Sequence, residues 1–196
     1  MRYSKILEAP QLVPPTDFDL SNREINLARA ADFTRHPAET FRDFPRATLF
    51  VQAGNVGGQI GLLSKITGLL EYYVHYDIAT ITPFGRCATQ VKLWRSDTAT
   101  VQNTARMGFQ EILLRRFDTL ISDRQQTDRG MEFWKGQISA LADAKTVGII
   151  DARGVHVFDH VLPISDWIYQ QDGWNKARSY RRKRFFISNL AADQLD

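Results

Sequence analysis

Four apolar segments follow one another between residues 48 and 94, and glycine or proline punctuates every gap between them. Residues 48–52 (Thr-Leu-Phe-Val-Gln), 59–66, 69–81 and 89–94 are rich in β-branched and aromatic side chains, the composition of a strand. Between them stand a turn over residues 54–58, Gly68, and Thr82-Pro83-Phe84-Gly85. Gaps this short cannot carry a crossover, so the segments predict an antiparallel meander. After Trp94 the period changes. Val101, Ala105, Phe109, Ile112, Leu113 and Phe117 recur at helical spacing. A short strand follows at residues 119–122, and Met131, Trp134, Ile138 and Leu141 mark a second helix. Residues 146–150, 154–158 and 184–188 read as further strands. A helix between two strands permits parallel pairing, so residues 89–94 and 119–122 are expected to lie parallel and adjacent.

Ahead of the meander, residues 1–20 read as an arm with one short strand and Pro14-Pro15. Ser21 is placed to cap a helix running to about Phe33, with Glu24 completing a capping box. Residues 37–44 predict a helical turn stopped by Pro45. The fold class is therefore α+β or α/β, a mixed, mainly antiparallel central sheet flanked by helices. A length of 196 residues suits a single domain, with its core over residues 49–188.

The apolar share, 43%, is enough for a sizeable core, and a net charge of only +3 makes no global demand for a polyanion. One cysteine, Cys87, excludes an internal disulfide and a cysteine-built metal site, which points to a reducing compartment. The N-terminus has no secretory apolar stretch and no segment approaches a membrane span. A soluble cytoplasmic protein is the expectation. Basic charge is concentrated in Arg178, Arg181, Arg182, Lys183 and Arg184, interleaved with Tyr180 and followed by Phe185-Phe186. That pattern suits nucleic acid, another polyanion or a phosphate group, and equally a solvated strand edge.

Two stretches carry candidate chemistry. The strand at 119–122 stops at Ser122-Asp123 and is followed by Arg124, Gln125, Gln126 and Thr127. Asp123 with Gln126, or Thr127 alone, would cap the next helix. The same strand end also faces the zone where open α/β sheets bind ligands. There Asp123 would accept a proton or hold an amine, and Ser122 would hydrogen-bond a carbonyl. In Tyr72-Tyr73-Val74-His75-Tyr76-Asp77, alternation sets Tyr73, His75 and Asp77 on one face. His75 is a general base by residue type, and a hydrogen-bonded histidine on an amphipathic face is the plainer account. Trp94, Phe133 and Trp134 read as core. His156, Asp159 and His160 have a spacing compatible with a metal, but no third ligand is fixed by a motif, so no metal site is assigned.

The element order resembles the GNAT fold, that of the Gcn5-related N-acetyltransferases, over roughly residues 49–188. In detail, Ser122-Asp123, Gln126-Thr127, Gly130, Phe133-Trp134, the strand Gln90-Val91-Lys92-Leu93-Trp94-Arg95 and the basic C-terminal strand look like divergent GNAT-like proteins of phages and their bacterial hosts. The resemblance implies an acyltransferase moving an acyl group from acetyl-CoA or another acyl-CoA to an amine on a small molecule or protein. It implies an acyl-CoA beside Trp94, Arg95, Arg106 and Gly108, with Tyr73, Asp77 and Gln126 toward the acceptor and His75, Asp123 and Ser122 in catalysis. The chain departs from the family at the phosphate-binding turn. The family's turn pairs glycines so that free amides cradle a pyrophosphate, whereas residues 96–109 here contain only Gly108, and Asp97 adds negative charge. Weak CoA binding, or binding moved toward Arg106 and residues 181–184, is expected. A second reading is a scaffold without acyl chemistry that binds a host protein or nucleic acid.

Overall fold

The structure is a computed structural model that describes residues 20–36, 38–96, 101, 103–122, 128–170 and 183–195. Its elements are α1 (Arg23–Arg35), β1 (Glu39–Asp43), β2 (Ala47–Ala53), β3 (Gly57–Ser64), β4 (Leu70–Ile81) and β5 (Gly85–Arg95). Next comes a composite helix α2, made of Thr104–Arg106, a π-helical segment Met107–Leu113, and Leu114–Arg116. The remainder is β6 (Thr119–Ser122), α3 (Asp128–Leu141), β7 (Thr146–Asp151), β8 (Gly154–Val157), α4 (Ile164–Gln170) and β9 (Arg184–Ser188). The strands pair in the order β1-β2-β3-β4-β5-β6-β9-β7-β8. The protein is thus α+β, with an open, mixed, mostly antiparallel sheet. Contacts divide it into two compact units: Met1–Ala53, Gln59–Tyr73 and Trp94–Thr104 in one, Gly54–Gly58, Val74–Leu93 and Ala105–Asp196 in the other.

In the first unit, α1 starts where Asn22 accepts hydrogen bonds from the backbone of Glu24 (2.9 Å) and Ile25 (3.2 Å). Asn22, not Ser21, is therefore the cap, satisfying two amides that the helix leaves open. Asn26, Ala30 and Phe33 follow at helical spacing and are buried. Phe33 meets Tyr73 edge-on at 6.2 Å, within a cluster that includes Leu20, Ala30 and Leu70. Gly61 lies beneath that contact, where a Cβ would sit 2.9 Å from the Phe33 ring. Asn26, 3% exposed, is a polar residue in this core for a definite reason. Its Nδ2 donates to the carbonyls of Leu20 (3.0 Å) and Leu70 (2.9 Å), and its Oδ1 accepts the Leu70 N–H at 2.7 Å. One amide thereby satisfies both backbone groups of the first residue of β4, as a buried strand start requires. Of the helical turn expected over residues 37–44, the described residues 38–44 are not helical. β1 instead pairs antiparallel with β2, from Glu39↔Val51 to Asp43↔Thr48, with a register shift between Thr40 and Arg42. Lys65 fixes the hairpin turn, reaching Asp43 at 2.7 Å and the Phe44 carbonyl at 2.8 Å.

In the second unit, β5 and β6 run parallel, β9 lies antiparallel between β6 and β7, and β8 closes a hairpin with β7. The parallel pair expected from the intervening helix is present. One face is covered by Ile81, Phe84, Cys87, Ile121, Phe186 and Leu195. Phe186 stands against Gly148, its partner on β7. A Cβ at Gly148 would enter the His156 carbonyl and lie 2.6 Å from the Phe186 ring. On α2, Phe109 meets Phe133 at 5.3 Å and Trp134 at 5.0 Å, both edge-on, so the helix pair is joined by aromatic edges. Trp134 is buried, and Phe133 is half-buried against Phe109. Burial of side chains such as Phe109 and Phe186 contributes about 2–3 kcal/mol each. Two helix boundaries differ from the periodic pattern, since α2 starts at Thr104 rather than near Val101 and α3 at Asp128 rather than Met131. α4 carried no periodic signal because only Trp167 and Ile168 are buried in its short span.

Gly148→Ala is expected to lower stability by about 1–3 kcal/mol through overpacking. Gly136→Ala, in α3 with nothing within 4 Å of the added methyl, should raise it by about 0.5–1 kcal/mol through helix propensity. Urea unfolding of both variants measures the contrast. Tyr76 offers a third check in this unit: its ring meets Phe117 at 5.5 Å while its buried hydroxyl has no hydrogen-bond partner. Tyr76→Phe keeps the ring and removes the polar atom, so the midpoint should rise, with about 1 kcal/mol gained.

Candidate functional site

β6 ends at Ser122, whose partner across the parallel pair is Val91, while β5 continues to Arg95. The register shifts between Ala88 and Val91, with three steps along β5 against two along β6. Such a bulge bends one strand away from its neighbour. The carboxyl end of the parallel pair therefore has β5 outrunning β6, the place where open sheets with parallel strands receive ligands. Ser122 stands there but is 1% exposed. Its Oγ accepts the Phe185 N–H at 2.9 Å, and its carbonyl accepts Arg184 Nε at 3.1 Å. Ser122 thus fastens β6 to β9, and the expectation that its hydroxyl meets a substrate carbonyl is corrected to a structural one. Arg184 is corrected in the same way. It is 7% exposed on a strand flanked by β6 and β7, so it is neither a solvated edge residue nor part of an open basic surface.

His75 and Asp77 share a face of β4 in the same unit. His75 Nε2 lies 3.5 Å from Asp77 Oδ1, and the side chains are 41% and 38% exposed. A solvent-accessible imidazole beside a carboxylate is equipped to take a proton from an incoming group. Gly57 explains the local geometry. A Cβ there would stand 2.6 Å from the Tyr76 carbonyl and 3.6 Å from Asp77 Oδ1. The adjacent Val56 carbonyl accepts the Ile78 N–H at 2.8 Å. Only glycine lets the turn close this tightly beside the pair. The sequence showed Gly57 as one of several turn glycines and carried no signal that it abuts Asp77.

Tyr73, in the first unit, donates to Gln59 Oε1 at 2.7 Å and lies under the Arg29 guanidinium at 5.6 Å. Burial pushes its phenol up to about 12, against the pull of Arg29. It is a neutral, committed core residue, not an open acceptor contact. Trp94 packs on the same core cluster, and Arg95 is exposed. Arg106 is exposed at the start of α2, where its Nε donates to Gln110 Oε1 at 3.2 Å; Gln110 in turn donates to Gln137 at 2.9 Å. Gly108 is buried inside the π-helical segment, so it does not open backbone amides to a phosphate. The π segment itself, and the left-handed Asn103 (φ 59°) before it, had no signature in the hydrophobic period. Wide helical turns of this kind occur often at functional sites.

Asp123, Gln126, Thr127, Arg178, Arg181 and Arg182 lie outside the described residues, and with them the capping expectation for α3. Lys183 is half-buried. Burial pushes the Cys87 thiol up to about 12, which leaves it protonated and unsuited to attack. Among the described residues no group of three or more His, Cys, Asp and Glu side chains is placed to hold a metal. His156 instead contacts Asp151, and His160 stacks on Phe158 at 4.4 Å. No helix among the described residues is long and apolar enough to cross a membrane. No known family, curated protein or solved structure matches the chain.

The Asp151 carboxyl gives this unit an acid-sensitive joint. Burial pushes its pKa up, but the Arg153 N–H, His156 and the Arg153 side chain together hold it below the ordinary range. A carboxyl depressed in the folded state contributes stability that is full above its unfolded pKa, about 3.9, and lost as pH falls through the folded value. The stability difference between wild type and Asp151→Asn should therefore be greatest near neutrality and shrink below about pH 4, as read by urea unfolding across that range.

Proposed function

We propose that the protein is an acyl-CoA-dependent N-acyltransferase of GNAT-like type, and that the carboxyl end of the β5–β6 pair receives the thioester. The observation that carries this reading is the parallel β5–β6 pair. β5 and β6 lie parallel, β9 runs antiparallel on the other side of β6, α2 joins the parallel strands, and β5 runs on past the Val91–Ser122 pair. The order of a meander, strand, helix, strand, helix and strand agrees with the resemblance carried by Ser122-Asp123, Gln126-Thr127 and Phe133-Trp134. In the proposed reaction the acceptor amine attacks the thioester carbonyl and the thiol leaves with the electron pair of the C–S bond. His75, held beside Asp77, takes the amine proton. Asp123 is the other candidate base, and Gln126 the candidate acceptor contact. Arg106, which is exposed, supplies positive charge for the phosphates of the cofactor.

A second reading is favoured by α2. Gly108 is buried within the helix and the Arg106 side chain is engaged along it by Gln110, so neither is free in the way that a pyrophosphate-binding glycine turn requires. Under this reading the same scaffold binds a protein or nucleic-acid partner of its host, with residues 178–183 contributing basic charge.

Calorimetry with acetyl-CoA separates the two. The acyltransferase reading expects saturable binding weakened by Arg106→Ala. It also expects transfer to an amine that falls on the order of 10²–10⁴-fold in His75→Ala, the usual contribution of a positioned base. No binding at millimolar acetyl-CoA would leave the partner-binding reading.

A further inference from the structure

The hairpin of β7 and β8 holds a second histidine–carboxylate pair, in closer contact than the first. The Asp151 side chain is 8% exposed and accepts hydrogen bonds at both oxygens. The Arg153 N–H reaches Oδ1 at 2.8 Å, and the Arg153 guanidinium reaches Oδ2 at 3.2 Å. His156 Nε2 lies 3.1 Å from Oδ1. An ionised carboxylate offers only lone pairs, so the nitrogen facing it must carry the hydrogen. In the neutral ring this fixes the tautomer, with the proton on Nε2 and a lone pair on Nδ1. Val155 and Val157 pack on the cluster around Phe186, so alternation turns His156 to the other face of the sheet, where it is directly opposite Ile149. β8 ends the strand order, and the imidazole is 39% exposed at that edge.

We propose that His156 is a second chemical site, an imidazole oriented by Asp151 that acts through Nδ1 as a nucleophile toward activated acyl carbons. It stands apart from the acyl-CoA reading and does not depend on it. In the step, the Nδ1 lone pair forms a bond to the carbonyl carbon, and the leaving group departs with the electron pair of its own bond. The ring becomes an acyl-imidazolium whose positive charge develops beside the fixed Asp151 carboxylate, a preorganised electrostatic partner. Water then attacks the acyl carbon, the carboxylic acid departs from Nδ1 and one proton passes to solvent, leaving the neutral ring with its hydrogen still on Nε2 toward Asp151.

Diethyl pyrocarbonate tests this on the intact chain, because the four histidines serve as controls for one another. Limited treatment at neutral pH, with site-by-site mass spectrometry, should show His156 modified first. It should precede His36 and His160, which are exposed, and His75, whose carboxylate lies farther away at 3.5 Å. Asp151→Asn should slow His156 by about tenfold, the lower end of what losing the carboxylate partner of a metal-bound imidazole costs, and leave His36 unchanged. Arg153→Ala, which keeps the His156 contact, should leave His156 the fastest. The proposal fails if wild-type His156 reacts no faster than His36, a result that needs no variant to fold. It fails also if Asp151→Asn leaves the rate of His156 unaltered, or if Arg153→Ala removes its lead.

Discussion

A parallel pair of strands cannot be closed by a hairpin, and that constraint organises the second unit. The chain leaving β5 at Arg95 must return to the same end of the sheet before β6 can begin at Thr119. α2 fills that crossover and has to present an apolar face to the strands, which Phe109, Ile112 and Leu113 supply. Because β6 is short and buried at every position, it needs a partner on its other side as well. β9 provides it, with Ile121↔Phe186 and Leu120↔Ile187 in register. The hydroxyls of Thr119 and Ser188, 2.8 Å apart, satisfy each other at one end of this joint. Ser122 satisfies the Phe185 amide at the other. Three polar side chains are tolerated in the core because each closes a hydrogen bond that the strands leave open.

This joint explains why Ser122 reads so differently in sequence and in structure. A serine followed by aspartate at a strand end is equally consistent with a cap, a ligand contact or a strand-to-strand bond, because nothing local says which backbone amide will lie opposite. That amide, of Phe185, is sixty-three residues away along the chain. Arg184 escaped for the same reason. Its place in a basic run suggested solvent, and only the insertion of β9 between β6 and β7 shows it buried. Local signals fared better. The Gly and Pro punctuation located β2 to β5, and the helical recurrence around Phe109 and Trp134 located α2 and α3. The π-helical segment was illegible because it alters the backbone hydrogen bonds while leaving Phe109, Ile112 and Leu113 on a buried face. Residues 37–44 read as a helical turn stopped by Pro45, but pairing of β1 with β2 overrides so short a local preference.

The two histidine–carboxylate pairs show how similar side chains acquire different characters from their backbones. His75 and Asp77 are two residues apart on one strand, so their side chains point the same way and meet at 3.5 Å with both open to solvent. Asp151 and His156 face each other across a hairpin, where the turn adds the Arg153 amide to the carboxylate. The second carboxylate is shielded and triply bonded, which fixes the ring that faces it. In the first pair both side chains stay open to solvent, beside the close approach of Gly57.

The last strand in the chain is also the one that completes the core of the second unit, and this bears on how the unit assembles. β9 pairs with β6 and β7, whose residues precede it by many positions, so its contacts are among the most non-local in the unit. Closing such loops costs entropy before any contact repays it. The cluster of Phe84, Cys87, Ile121 and Phe186 cannot form until β9 arrives, because Phe186 meets Phe84 at 4.9 Å and fills the space over Gly148. Before that moment β6 and β7 each have an uncovered edge that calls for a partner. Ser122, Thr119 and Ser188 then favour the correct register, since a slip of one residue would turn Phe186 away from Gly148 and leave the buried Phe185 amide without its acceptor.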